Sequence, residues 1–242
     1  LTPFIIYIFG KYVIRKKTDY QKKRSRAKFM SFHIWEWIIR IAVLLFAITI
    51  HEYAHGRTAL FLGDPTAKNA GRLTFNPISH IDPIGAICLF LFHFGWAKPV
   101  PVDIRYFRNV RRDTVLMALS GPGSNIAAAL VTGMFLRLHF PVSPAYQTII
   151  VYMLLMNIGL GLFNLLPIPP LDGSHVLENL LPPPASRQFR RIGRYAPFLL
   201  IIILLMDGFL HLNILGRILT YPIFMMAYLF GGENFFRLIG LL

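Results

Sequence analysis

Long apolar runs, separated by short polar and Pro/Gly-rich breaks, set the organisation of this chain. Residues 1–14 are apolar but brief, and 15–31 are basic and polar. From about 34 the chain is almost continuously apolar to 62, where Gly63, Asp64 and Pro65 stop the run. At about 1.5 Å per residue, such a helix exceeds a hydrocarbon core of about 30 Å. Its last turns are therefore expected to emerge. Residues 64–83, DPTAKNAGRLTFNPISHIDP, read as a loop.

The next run, IGAICLFLFHFGW at 84–96, has the length of a re-entrant or interfacial segment, not of a crossing. AKPVPVD at 97–103 alternates valine with proline and predicts an extended edge strand. A basic loop with Arg105, Arg108, Arg111 and Arg112 leads to a second span near 114–137. That span contains SGPGSN, whose small residues admit a neighbouring helix at close range. A third span near 147–166 runs into NLLPIPPLDG. After prolines 182–184 and Arg187, Arg190, Arg191 and Arg194, two weaker spans are expected near 196–212 and 214–231. The predicted fold is all-α and polytopic, with about five transmembrane helices and a re-entrant segment carrying a short β-like edge. Its organisation reads as a basic arm at 1–31, a membrane core at 32–180, and a C-terminal loop with two further helices at 181–242.

Composition agrees. The chain is 55% hydrophobic and 15% charged, against about 25% charged in ordinary soluble domains. Nine of the 25 Lys and Arg lie between Lys11 and Lys28. Next to a membrane span, that cluster reads as an arm on anionic lipid headgroups in preference to a nucleic-acid site. No secretory signal peptide is expected, because the first apolar run leads into basic residues without a small-residue cleavage site. Cys88 is the one cysteine in the sequence, so the chain holds no internal disulfide.

Chemistry concentrates in HEYAH, residues 51–55, inside the first span. Residues i and i+4 share a helix face, so His51 and His55 can aim their imidazoles at one metal ion. Glu52 leaves at a neighbouring angle, suited to take a proton from water as it attacks a carbonyl. A chance H-E-x-x-H occurs in about one chain in a hundred of this length. Ionisable groups in an apolar span, however, mark function. A catalytic zinc takes three protein ligands and keeps one position open, so a third ligand is required. Asp172 meets that need: Pro167, Pro169 and Pro170 break the helix before it, and freed backbone groups need protein or a wet cavity around them.

HEYAH, GDPTAK, GRLTFNP, HIDPIG, GWAKPVPV, SGPGSN and NLLPIPPLDG, in that order, resemble the site-2 protease family of intramembrane zinc metalloproteases, and within it the compact prokaryotic branch. The resemblance covers about 40–180. It implies that His51, His55 and Asp172 bind one zinc ion and that Glu52 is the general base. It further implies that Asn164, and with it Asn125, hold the substrate or polarise its scissile carbonyl. It places the active site toward the cytosol of a prokaryotic cell, with transmembrane proteins as substrates. Val100, in the edge strand, would offer a backbone N–H to an unwound substrate.

Charge and metal geometry favour different topologies. If 84–96 crossed the membrane, 19 and 5 of the loop and terminal Lys and Arg would fall on opposite sides, as the positive-inside rule favours. His55 and Asp172 would then lie on opposite faces. A re-entrant 84–96 brings them to one face and splits the charges 13 to 11. Shared ligation is the stricter constraint, so the re-entrant arrangement is expected. A divalent-metal transporter is the alternative from another class. It would line both halves of the membrane with polar groups, whereas here they gather toward one end. An inactive scaffold would show damage at Glu52 or at a ligand, and all are intact. The remaining histidines are expected to be interfacial or structural, with His175 the candidate for supporting the site.

Overall fold

The computed structural model describes residues 26–92, 95–138, 143–210 and 214–239. Most of the basic arm lies outside them. Helix α1, Arg26–Phe61, is longer than the expected span and carries HEYAH toward its C-terminal end. It stops at Gly63, whose φ of 109° suits glycine. A short turn of helix, α2 (Thr66–Asn69), and a 3₁₀ turn, Pro77–His80, shape the following loop. Phe75 of that loop stacks on Tyr53 of α1, at a ring separation of 4.0 Å.

Helix α3, Pro83–Phe92, is the apolar segment expected to be re-entrant. Its two ends are side by side. Ile81 and Ala97 form an antiparallel bridge, and Lys98 N–H donates to His80 C=O at 2.9 Å. A Cβ on Gly85 would stand 2.2 Å from the Trp96 carbonyl, so glycine is what lets the returning chain pass. Segment 97–103 makes no sheet among the described residues; the single bridge is its β-like feature.

Helix α4, Val110–Arg137, begins at Asn109, whose side chain accepts from Arg112 N–H. Pro144 at the first turn starts α5, Pro144–Asn164. Helix α5 is central: 61% of its most apolar window is buried, against 33% in the other crossing-length helices. Tyr152, Leu154, Met156, Ile158 and Phe163 fill the middle of the core. Further on are α6 (Asp172–Leu180), α7 (Pro183–Gly193), α8 (Ala196–Leu210), α9 (Ile214–Gly231) and α10 (Glu233–Ile239). Helices α6 and α7 occupy a stretch expected to be loop. Arg187, Arg190, Arg191 and Arg194 fall at i, i+3, i+4 and i+7, an exposed stripe, and Arg190 pairs with Glu178 at 2.9 Å.

Among the described residues, four helices are long and apolar enough to cross a membrane: Trp37–Phe61 within α1, α4, Tyr146–Asn164 within α5, and α9. Leu116, Val131, Met134 and Phe135 on α4, with Tyr221, Met225 and Leu229 on α9, stay exposed. Apolar faces of that extent belong against lipid. The expected span at 196–212 is met by α8, whose 15 residues are short of crossing length. Small residues set the helix spacing: in SGPGSN a Cβ on Gly121 would meet His55 of α1 at 2.3 Å, and outside that motif one on Gly133 would meet Phe230 of α9 at 2.5 Å.

Candidate active site

His51 and His55 stand one turn apart on α1, and both are buried. The prolines after α5 end that helix and turn the chain so that Asp172 opens α6. Gly173 allows the turn, since a Cβ there would be 2.2 Å from the Leu165 carbonyl. The three predicted ligands converge. His51 Nε2 and His55 Nε2 are 3.1 Å apart, and Asp172 Oδ2 lies 3.0 Å from the first and 3.2 Å from the second. Donors about 2.0–2.1 Å from a tetrahedral zinc are separated by about 3.3 Å, so two imidazoles and a carboxylate in this array fit the ion. Burial pushes the Asp172 carboxyl up, but the two imidazoles that face it outweigh this and hold the group well below the usual carboxylate range. It is an anion at neutral pH, as a ligand must be.

The wall opposite is made by α4. A Cβ on Gly121 would stand 2.3 Å from His55 Nε2 and 2.7 Å from His51 Nε2, inside the space the three donors face. Glycine keeps that cradle open. The far nitrogens of the imidazoles are anchored as well. His55 Nδ1 donates to Met117 C=O at 2.8 Å, and His51 Nδ1 donates to Asn125 Oδ1 at 2.7 Å. With the proton on Nδ1, each ring presents the lone pair of Nε2 to the ion.

Asn125 is completely buried. Its amide donates to Ala47 C=O at 2.9 Å and to Asn157 Oδ1 at 3.0 Å, which fixes which end of the side chain faces His51. Both amide protons are therefore engaged inside the protein. Asn157, also fully buried, was not among the expected site residues, although a polar side chain amid an apolar span is itself a signal. Its own amide donates to Met153 C=O. Asn164 ends α5, half-buried, and gives one amide proton to Leu160 C=O at 3.0 Å. His175 is exposed on α6. Val100 N–H donates to Glu52 Oε2 at 3.0 Å, so it is engaged inside the protein and not, as expected, held out to a substrate strand; the sequence could not disclose this contact.

The comparisons bear on this geometry. Peptidase family M50 matches over residues 141–204, a stretch that holds Asn164 and Asp172. A Bacillus subtilis protein named "Putative zinc metalloprotease YwhC" is 38% identical over 173 residues, covering 68% of this chain and 78% of its own. The chain belongs to peptidase family M50. Two other proteins similar to it are named "Putative zinc metalloprotease Rip2". The one from Mycolicibacterium smegmatis is 28% identical, covering 74% of this chain and 71% of its own. The one from Mycobacterium tuberculosis H37Rv is 30% identical, covering 70% and 67%. No solved structure matches. As an M50 peptidase with four crossing-length apolar helices, the protein is an intramembrane zinc metalloprotease, and the transporter and scaffold readings fall away.

Proposed function

We propose that His51, His55 and Asp172 hold the zinc ion, that Glu52 is the general base, and that the substrates are transmembrane proteins cut within or beside their spans. The observation that carries this reading is the convergence of His51 Nε2, His55 Nε2 and Asp172 Oδ2 within 3.2 Å of one another, from helices far apart in sequence. When bound, zinc supplies a Lewis acid that makes water a nucleophile near neutral pH.

The chain's own groups do the rest. Glu52 lies one residue from His51 and takes the proton of the attacking water, then passes it to the departing amine. Asn164 has one amide proton left to offer the carbonyl oxygen as charge grows on it, where an uncharged donor suits a low-dielectric site. Asn125 has none to spare; its work is to hold His51. Segment 97–103 lies beside Glu52 and serves as the edge on which an unwound substrate strand is laid. A helical substrate ties up its backbone groups in i to i−4 bonds; with Val100 N–H given to Glu52, the edge would meet the freed N–H groups through its own carbonyls. The site faces the cytosol in this reading, which rests on the family resemblance.

The test is Glu52→Gln. The variant is expected to retain about one zinc per chain and normal helicity while cleavage of a transmembrane substrate falls by a factor of about 10²–10⁴. Turnover near the wild-type rate would remove Glu52 from the mechanism.

A further inference from the structure

Asp64 follows the glycine that ends α1 and is fully buried, at 0% exposure. It makes no ion pair among the described residues. Its oxygens are taken by donors of two separate segments. Oδ1 accepts from Thr66 N–H at 2.9 Å and from the Thr66 hydroxyl; Oδ2 accepts from Asp103 N–H at 2.8 Å. A buried carboxylate used in this way fixes the distance between the end of α1 and segment 97–103.

That segment is held at its other end by the Ile81–Ala97 bridge and by Lys98 N–H on His80 C=O. Between the two anchors stands PVPV. Pro99 and Pro101 have no N–H and a restricted φ, so Val100 carries the one backbone donor of the stretch 99–101. That N–H meets Glu52 Oε2 at 3.0 Å. The Val100 side chain is seated one turn further along the same face of α1: a Cβ on Gly56 would lie 3.1 Å from Val100 Cγ1.

We propose that Asp64 is a positioning residue for peptide hydrolysis: through Asp103 N–H it holds 97–103 at the height where Val100 N–H fixes one oxygen of Glu52 and leaves the other for water. The proposal rests on Glu52 being the base. Its physical content is that a carboxylate tethered at one oxygen has a single orientation, and that misplacing a catalytic group by about 1 Å costs about a hundredfold in rate.

The experiment measures kcat and KM on a transmembrane peptide substrate, with zinc content and circular dichroism on the same preparations. Three forms of the full-length protein are compared with wild type: Asp64→Asn, the α-hydroxy acid of valine at position 100, and the two combined. The ester at position 100 deletes only the N–H. Each single change should lower kcat by about ten- to a hundredfold at constant KM, zinc content and helicity. The combination should be no slower than the slower single, because both act through one contact. An unchanged kcat in either single, a KM effect alone, or losses that multiply in the combination would overturn the proposal. Loss of zinc or helicity in Asp64→Asn would also overturn it, assigning the residue to folding instead. Glu52→Gln is assayed in parallel, so that failure of the base assignment is read separately from failure of the Asp64 assignment.

Discussion

At the scale of residues, the site is defined as much by what Gly121 lacks as by what the ligands offer. Alanine there would put a methyl carbon 2.3 Å from His55 Nε2 and 2.7 Å from His51 Nε2, crowding both metal-facing nitrogens. Gly121→Ala is expected to purify with less than about a tenth of the wild-type zinc while the helices stay packed, checked by elemental analysis and circular dichroism. The ligands themselves make the companion prediction. His51→Ala, His55→Ala and Asp172→Ala should each lose most of the zinc, and full occupancy in Asp172→Ala would remove it as a ligand. Asn125→Leu should weaken zinc binding about 10- to 100-fold, read by competition with a chelator, since it frees the His51 ring and strips Asn157 of its partner. The convergence of His51, His55 and Asp172 was foreseeable from the sequence because i, i+4 spacing and a proline-broken acid are local patterns. Asn157 and the Val100 contact were not, because which polar group in a span meets which neighbour depends on helix rotation and depth.

Among the elements, α4, α5 and α9 were foreseen within a few residues, as was the C-terminal end of α1, since a run of apolar residues sets both existence and length; α1 begins earlier, at Arg26, in the polar stretch before its apolar run. Helices α6 and α7 were not. The proline-rich 182–184 reads as a break, yet prolines in a first turn also start helices, and Pro183 does so here. The arginines after it read as a polar loop, although their i, i+3, i+4, i+7 spacing is that of one helix face. For α3 the sequence offered its length and the need to bring His55 and Asp172 to one face. The Ile81–Ala97 bridge now gives the stronger expectation that both flanks face one aqueous compartment. Cysteines at Ile78 and Arg105, both exposed, in a Cys88→Ala background should react with an impermeant thiol reagent from the same side of sealed vesicles. Labelling from opposite sides would refute the arrangement.

For the molecule as a whole, the hydrophobic core lies along α5 and α9, and the three metal-facing side chains contribute little to it. Chelation should therefore abolish proteolysis while leaving far-UV circular dichroism within about 10% of its starting value, unlike small zinc domains that unfold without metal. Orientation was the least legible property: a charge split of 13 to 11 gives the positive-inside rule nothing to act on. The crossing of the chain at Ile81 and Ala97 has a consequence of its own. A segment that returns to its point of departure is an excursion, closed at its neck, and no crossing helix has its register set by the excursion's length. Doubling such an excursion adds only about 0.6 kcal/mol of closure entropy. Insertions between the neck residues, away from Gly85 and Gly95 where the two arms touch, are thus the changes this architecture tolerates best.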